Sequence, residues 1–225
     1  MPNAQPGDII TFGAYPQTAD GSDRTPIRWR VLPGPGGDLL LLSEYILDCK
    51  RYHGADTAIT WRDCDLRRWL NEEFYNAAFD AAEQEAIRTT RCTGNGAGGD
   101  TAGDTGSDAA SPDTEDKVFL LSATEVTELT AKLDDPVRAR RRAAGTAFAR
   151  VKKDDGCRLY VYDKGVKADY IVENGVEVGC SWWWLRTQGN TPARAVFVGM
   201  RSTVRTYGSV NLPYYGVRPA IKITL

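Results

Sequence analysis

The sequence Gly179-Cys-Ser-Trp-Trp-Trp-Leu-Arg186 sets three tryptophans side by side, at positions 182, 183 and 184. Because alternate residues of a β-strand face opposite sides, Trp183 would point away from Trp182 and Trp184. Large rings on both sides of one strand predict a strand that is covered on both faces. Core packing is the plainest role for at least two of these tryptophans.

The segment that follows, residues 187–216, has the composition of a binding surface. It contains no Asp, Glu, Lys or Trp, and its charged residues are Arg194, Arg201 and Arg205. Tyr, Asn and Phe residues lie between its glycines. Surfaces that bind other molecules are rich in Tyr, Arg and Asn. An edge hairpin with one side in water would share this composition, so both interpretations stay open.

The overall composition is that of a globular protein. The chain has 225 residues, of which 42% are hydrophobic and 26% are charged, enough for one well-buried domain. The formal net charge is −2, which gives no general attraction to nucleic acid or to anionic membranes. No apolar run approaches the roughly 20 residues that cross a bilayer. We therefore expect no nucleic-acid partner and no membrane insertion.

The first residues of the sequence do not predict a secretory signal. Met1-Pro-Asn-Ala-Gln-Pro-Gly7 lacks both a charged start and an apolar stretch. A cytoplasmic location is the resulting expectation, and display on a surface or a virion would need another route.

The cysteines and the single histidine argue against several kinds of catalytic site. The five cysteines are scattered without a Cys-x-x-Cys pair, a pattern typical of reduced, packed thiols. His53 is the only histidine, so a zinc site is not expected and any histidine-dependent catalysis would rest on it alone. We expect no enzyme activity, no metal and no cofactor.

Local patterns predict an α+β protein with helices in the N-terminal half and antiparallel strands in the C-terminal half. Early strands are predicted at residues 8–13, 27–32 and 38–43. Capping signals and apolar spacing predict helices over residues 63–71, 72–79, 80–88, 122–133 and 135–145. Later strands are predicted over residues 116–122, 159–162, 170–173, 176–178, 194–198, 203–207 and 217–225. No linker divides the chain, so a single domain over residues 1–225 is expected.

One segment differs in composition from the rest. Residues 94–113 are mostly Gly, Asp, Ala, Ser and Thr, which predicts a flexible insertion loop over about residues 94–115. Asp100, Asp104 and Asp108 would suit calcium, but the order of an EF-hand loop is absent. The helix over residues 135–145 carries Arg138, Arg140, Arg141 and Arg142 and is interpreted as a solvated face.

Four motifs occur in an order that resembles a known family. They are Trp61-Arg-Asp-Cys-Asp-Leu-Arg-Arg-Trp-Leu-Asn71, Asp116-Lys-Val-Phe-Leu-Leu-Ser122, Trp183-Trp-Leu-Arg186 and Gly216-Val-Arg-Pro-Ala220. On these motifs the chain, from Gly7 to Leu225, resembles the bacterial and phage domain family DUF6273. That family is related to the C-type lectin fold and to formylglycine-generating-enzyme-like domains. The resemblance implies a C-type-lectin-like fold.

The resemblance also implies a function, because some members are the variable proteins of diversity-generating retroelements. In these proteins an error-prone reverse transcriptase rewrites adenines, mostly in AAY codons, within a C-terminal cassette. The cassette lies between a WWLR-like and a GVRPA-like segment, which Trp183 to Arg186 and Gly216 to Ala220 match. Randomising the first two bases of such a codon excludes Lys, Glu, Gln, Met and Trp. Of these, residues 187–216 contain Gln188 and Met200 alone, which would have to be fixed positions.

On this hypothesis the chain binds a protein or other macromolecular ligand of unknown identity through a diversified surface. Fixed inward anchors would be Val196, Val198, Val204, Val210 and Val217. The predicted ligand-binding residues are Asn190, Arg194, Phe197, Arg201, Arg205, Tyr207, Asn211, Leu212, Tyr214 and Tyr215. Their arginines, with no carboxylate nearby in sequence, favour an acidic or aromatic epitope.

Two alternatives stay open. The first is a fixed, non-diversified interaction module of the same family, which Gln188 and Met200 favour. The second is a formylglycine-generating-like oxidase. Such enzymes use C-terminal cysteines with copper, and here Cys180 has no second thiol close in sequence. A Cys180→Ser change separates the classes, because a binder would keep its ligand and a thiol enzyme would lose activity. The sequence does not determine the oligomeric state.

Overall fold

The computed structural model of the chain describes residues 4–34, 38–96, 111–131, 141–160, 170–173 and 176–224. In these residues the protein is a mixed α+β structure built mostly of strands. The strands are β1 (Ile9–Tyr15), β2 (Thr25–Leu32), β3 (Leu39–Ser43), β4 (Asp48–Cys49), β5 (Thr90–Cys92), β6 (Thr114–Asp116), β7 (Tyr170–Glu173), β8 (Val176–Gly179), β9 (Trp183–Gln188), β10 (Arg194–Val198), β11 (Val204–Ser209), β12 (Gly216–Val217) and β13 (Ala220–Ile223).

The helices are short. They are α1 (Asp65–Trp69), a π-helical turn (Leu70–Phe74), α2 (Tyr75–Ala78), α3 (Ala81–Ala86), α4 (Ala123–Ala131) and α5 (Ala147–Arg150). Both predicted capping boxes are present, at the starts of α3 and α4: Asp80 pairs with Glu83, and Ser122 pairs with Glu125. Of the helices in the described residues, none has the length and apolarity that a membrane span requires.

The first sheet joins the two ends of the chain. Its order is β1-β2-β3-β13, and every neighbouring pair is antiparallel. The expected division into an N-terminal helical half and a C-terminal β half is therefore wrong. Strands β1 to β4 precede the helices, and α4 and α5 lie beyond the middle of the chain. Strand β13 needs a partner that is distant in sequence, and pairing of this kind leaves no local signal.

The second sheet carries the C-terminal strands. Its order is β11-β10-β9-β12-β4, antiparallel except between β9 and β12, which run parallel where Gly216 meets Trp183. All six residues of the central strand β9 are buried, which confirms a strand covered on both faces. Trp183 donates from Nε1 to the Arg141 carbonyl, whereas the ring of Trp184 packs against Tyr215. Neighbouring tryptophans therefore do face opposite sides.

Several element boundaries differ from those predicted. The strand predicted over residues 116–122 is not a continuous strand, because β6 ends at Asp116 and Phe119 forms an isolated β-bridge with Ala220. Asn71 does not end its helix, because the chain continues through the π-helical turn. Its side chain instead accepts from the Lys117 and Val118 amides, which fixes the helix to the neighbouring segment. The strand predicted over residues 217–225 is two strands in two sheets, since Pro219 lacks an amide donor and interrupts the ladder after Arg218.

Several predicted features lie outside the described residues. They are residues 97–110 of the insertion loop with Asp100, Asp104 and Asp108, most of the arginine-rich helix (132–140), residues 161–162 of one strand and the Asn174-Gly175 turn. At the described ends of the predicted loop, Asn95 is buried and residues 114–115 belong to β6.

Candidate functional site

A cleft of about 340 Å3 opens at the β11 edge of the second sheet. Aromatic rings form its floor and one wall, and the β10–β11 turn forms the opposite rim. It is lined by Trp182, Phe197, Gly199, Met200, Arg201, Thr203, Arg205, Tyr207 and Tyr215. Five of the ten predicted ligand-binding residues, separated by up to 18 positions in sequence, thus meet around one hollow.

The floor is a stack of rings on one face of the sheet. Phe197 lies opposite Trp184 on β9 and opposite Arg205 on β11, and directly opposed residues point to the same side. Tyr215 stacks on Trp184 with ring centroids 3.8 Å apart and meets Phe197 edge to face at 5.0 Å. Trp182 closes the group 5.4 Å from Tyr215. These contacts hold the rings in fixed positions.

Exposure separates the floor from the walls. Phe197 and Tyr215 are 2% and 4% exposed, whereas Tyr207 is 56% exposed. Phe197 and Tyr215 were expected on an outward recognition face, and they do line the cleft, but as parts of the packed core. Buried and exposed residues do not alternate along β10, because Val196 and Val198 on its other face are buried as well. Tyr207 packs its edge on Phe197 at 5.5 Å and leaves most of its ring free.

The rim carries the positive charge of the cleft. Arg201 and Arg205 are exposed, and no lining residue is acidic. The β10–β11 turn that contains Arg201 is tight, because the Gly199 amide donates to the Thr203 carbonyl and the Ser202 amide donates to the Gly199 carbonyl. Ser202 has a φ of 70°, in the left-handed region that serine rarely adopts. A constrained turn of this kind presents Met200 and Arg201 in a defined position.

Two of the remaining predicted residues lie at the opposite end of β10. Asn190 is exposed in the β9–β10 turn, and its amide donates to the Thr206 carbonyl. Arg194 is half-buried and donates to Asp56 Oδ1 at 3.0 Å. Neither lines the cleft, but both remain on the surface formed by the segment.

The other three lie after β11. Asn211 is half-buried, and its carbonyl accepts from Arg51 Nε at 3.0 Å. Leu212 and Tyr214 are 37% and 43% exposed. They extend the surface beyond the cleft, so the structure divides the predicted set into a cleft group and a peripheral group.

Sequence reasoning missed four cleft residues: Trp182, Gly199, Met200 and Thr203. Core packing was predicted for at least two of the three tryptophans, and Trp183 and Trp184 are buried. Trp182 is half-buried, and Tyr160 stacks on it with ring centroids 4.4 Å apart. The sequence carried no local signal that separates Trp182 from its two neighbours, because its exposure depends on partners distant in sequence, such as Tyr160. Met200 and Thr203 could be found only from the turn that brings them to the rim.

Arg186, which borders the predicted cassette, is a structural residue. It is 1% exposed and donates five hydrogen bonds, two of them to the Glu125 carboxylate at 2.5 and 2.8 Å. The others reach Asn95 Oδ1 and the carbonyls of Leu120 and Thr93. Burial lowers its pKa, but the Glu125 carboxylate outweighs this and leaves the pKa above the usual value for arginine. Every N–H group of the guanidinium is therefore used within the protein.

The second border has a similar buried arginine. Arg218 is 1% exposed, donates from Nε to the Ser43 carbonyl at 2.7 Å, and lies over the Trp183 ring at 5.0 Å. Burial lowers its pKa to about 10, against the favourable charge of Glu44. Both borders of the segment thus belong to the scaffold.

The thiols lie away from the cleft. All five cysteines are buried and none is in a disulfide. The backbone of Cys180 forms an isolated β-bridge with Ala144. Cys49 and Cys157 share a hydrogen bond, which raises the pKa of Cys49 and lowers that of Cys157. In the described part of the chain, no group of three or more His, Cys, Asp or Glu side chains is placed to hold a metal.

Two larger hollows are lined by charged side chains that already pair with other groups of the protein. One of about 500 Å3 lies beside β1, where Glu83 is already held by its capping box and by the Gly13 amide. Another of about 620 Å3 lies beside α1, where Arg67 is bound to the buried Asp116 at 2.6 Å. Neither hollow combines several aromatic rings with arginines and no acidic lining residue, as the β11-edge cleft does.

Comparison with curated proteins and with solved structures found no match. The family described as "Domain of unknown function (DUF6273)" matches residues 36–225, which is most of the chain and includes every residue of the cleft. The chain therefore belongs to the DUF6273 family.

Proposed function

We propose that this chain is a ligand-binding protein rather than an enzyme, with the cleft and the exposed residues of segment 187–216 as its recognition surface. The observation that carries this is the convergence of Phe197, Arg201, Arg205, Tyr207 and Tyr215 on one hollow. Rigid rings with exposed arginines and tyrosines are the usual anchors of protein recognition. The ligand is a protein or another macromolecule.

We further propose that the scaffold is C-type-lectin-like and that its recognition surface is diversified. The four ordered motifs support the fold assignment, and the mixed α+β architecture is compatible with it. A diversified surface needs exposed positions that tolerate substitution, supported by buried positions that stay constant. Of the five predicted anchors, Val196, Val198, Val210 and Val217 are buried and Val204 is half-buried, whereas Arg201, Arg205 and Tyr207 are exposed.

Two glycines of the segment also behave as fixed positions. A Cβ atom on Gly208 would lie 2.5 Å from Trp184 Cζ3, and one on Gly189 would lie 2.3 Å from the Thr206 carbonyl oxygen. Real Cβ atoms do not approach so closely, so random side chains would displace β11. The tolerant positions are therefore a subset of the segment.

Gln188 and Met200, which a randomised AAY codon does not encode, would have to be fixed positions, and their surroundings differ. Gln188 is 7% exposed on β9, a place where a fixed residue is expected. Met200 is half-buried at the cleft rim, within the recognition surface itself. A fixed methionine there favours the alternative, a non-diversified interaction module of the same family, which would use the same cleft for one ligand.

Sequencing the coding locus and its flanks from many cells of one population tests the proposal. We expect a near-identical second copy of the codons for 187–216, with adenines wherever the two copies differ. Variation should fall on Asn190, Arg201, Arg205, Tyr207 and Tyr214 and spare the buried valines and Gly208. An invariant segment with no second copy and no neighbouring reverse transcriptase gene would reject diversification and leave the fixed module.

A further inference from the structure

We infer that the cleft of this chain binds an aromatic ring with a neighbouring carboxylate, supplied by an aromatic side chain beside an acidic residue on a protein ligand. The inference rests on the proposed function, because it names the ligand chemistry of the same surface. Three observations carry it: the size of the cleft, the arrangement of its rings and the sign of its charge.

The size of the cleft selects a single ring system. A volume of about 340 Å3 lies near the lower end of the roughly 300–1,000 Å3 range of small-ligand pockets. One aromatic side chain and its attached backbone fill such a space, whereas a folded partner element does not enter it. The rest of a protein ligand would contact the exposed residues around the opening.

The rings of the floor are arranged to receive another ring. Trp182 and Phe197 lie 5.9 Å apart with planes at 53°, and Phe197 and Tyr207 lie 5.5 Å apart with planes at 87°. Aromatic pairs favour offset and edge-to-face contacts at these separations. An added ring would contact mainly Trp182 and Tyr207, since Phe197 and Tyr215 are almost fully buried beneath them. Because Tyr160 covers one face of Trp182 by stacking, the indole is held for contact from the cleft side.

The charge of the cleft selects an anion. Arg201 and Arg205 line it and no carboxylate does. Arg205 lies opposite Phe197 in the β10–β11 register, so its side chain leaves the sheet on the face that carries the rings. A guanidinium at that place can donate two parallel hydrogen bonds to a carboxylate. A cation in the ligand would instead meet two like charges.

The two preferences belong to different layers of the cleft. Phe197 and Tyr215 are almost fully buried among other rings, so the preference for an aromatic group is part of the scaffold. Arg205 and Tyr207 are exposed and can be exchanged without repacking the core. Under diversification, variants at Arg205 would change the charge preference and variants at Tyr207 would weaken ring binding, whereas Trp182 lies outside segment 187–216 and would keep part of the aromatic preference.

The test uses the full chain and four probes in calorimetric or ligand-observed NMR titrations. The first pair is N-acetyl-tryptophan and N-acetyl-tryptophanamide, which differ in the carboxylate alone. The second pair is the end-capped peptides Gly-Ser-Trp-Asp-Ser-Gly and Gly-Ser-Trp-Asn-Ser-Gly. We expect each acidic probe to bind about tenfold more tightly than its neutral partner, as a charge-assisted bond implies.

Variants assign the effect to named residues. Arg205→Gln should remove most of the acid preference and keep binding of the amide, and Tyr207→Ala should weaken both probes of each pair. Arg91→Gln is the matched control, because Arg91 is an exposed arginine that pairs with Asp113 away from the cleft. It should leave all four affinities unchanged.

Three outcomes overturn the inference. Equal affinity for the acidic and neutral probes would reject the preference for a carboxylate. Failure of all four probes to bind would reject the aromatic ligand. Binding of N-acetyl-tryptophan without binding of the acidic peptide would reject a protein as the source of the group. None of these outcomes changes the result of sequencing the coding locus, which tests the proposed function separately. A diversified locus with no probe binding would leave the proposed function standing and reject this ligand chemistry alone.

Discussion

At the scale of single residues, Arg186 shows how a buried charge holds distant parts of the chain together. Its guanidinium joins strand β9 to the Glu125 side chain at the start of α4 and to the segment that contains Thr93 and Asn95. All five donors are satisfied, so the cost of burying the charge is offset by good geometry. Removing the guanidinium would leave Glu125 and several acceptors without their partner.

We expect Arg186→Met to lower the free energy of unfolding by about 2–3 kcal/mol, because buried acceptors at Asn95, Leu120 and Thr93 lose their donor, whereas the Glu125 side chain is 36% exposed and stays solvated. Urea denaturation monitored by tryptophan fluorescence measures it. Arg205→Met is the control, because that arginine is exposed and its loss should change stability by no more than about 0.5 kcal/mol. Equal losses in the two variants would show that the Arg186 network contributes little.

At the scale of elements, the position of β11 depends on a residue without a side chain. Gly208 lies opposite Ala195 in the β10–β11 register, and a Cβ atom there would lie 2.5 Å from Trp184 Cζ3 and 2.8 Å from the Ala195 carbonyl oxygen. The strand can approach the tryptophan only because the Cβ is missing. The same approach brings Tyr207 onto the edge of Phe197 and so forms one wall of the cleft.

Gly208→Ala is expected to destabilise the protein by about 1–3 kcal/mol, because overpacking forces a backbone shift. Thermal unfolding gives the loss, and the aromatic NMR signals of Tyr207 report the displaced wall. Gly34→Ala serves as the control, since its new Cβ would meet Leu40 Cβ at an ordinary 3.5 Å. A silent Gly208→Ala would mean that β11 lies farther from Trp184 than described.

At the scale of the whole molecule, several carboxylates are ionised more easily when the protein is folded. Burial disfavours the charge of Glu44, but the hydrogen bond from Arg30 and the charge of Arg218 outweigh it, so its pKa lies below the usual value. The pKa of Asp65 is lowered too. Burial raises this pKa, but the hydrogen bond from the Gly54 amide and the charges of His53 and Arg68 lower it by more. Such groups release protons on folding.

The sign of the pH dependence follows from these shifts. A group whose folded pKa is lowered contributes stability above its unfolded pKa and loses that contribution as pH falls through the folded pKa. We therefore expect the free energy of unfolding to fall as pH drops below about 5 and to keep falling towards pH 3, near the ordinary range of carboxyl groups. Denaturation at pH 7, 5, 4 and 3 measures it.

The variant Glu44→Gln should flatten part of that acid dependence, because it removes one of the responsible carboxylates. Glu85→Gln, a change at an exposed residue of α3, should leave the curve as it is. An unchanged slope in Glu44→Gln would assign the acid sensitivity to other carboxylates.

The local sequence by itself determined several elements of this protein. Alternation placed Trp183 opposite Trp182 and Trp184, and capping boxes placed the starts of α3 and α4. Strand β10 lies over the predicted residues 194–198. These features rest on contacts within a few residues, which a sequence displays directly. The ordered motifs also identified the family, which the match over residues 36–225 bears out.

Only the tertiary structure decided which of these residues form a site. Phe197 and Tyr215 form a buried floor, the half-buried Trp182 completes that floor, and Arg186 is part of the scaffold. The same cause governs all of them: each residue is covered, or left open, by partners that are distant in sequence. Tyr160 reaches Trp182, and Glu125 reaches Arg186. The burial of a residue depends on these tertiary contacts, and no local sequence pattern encodes them.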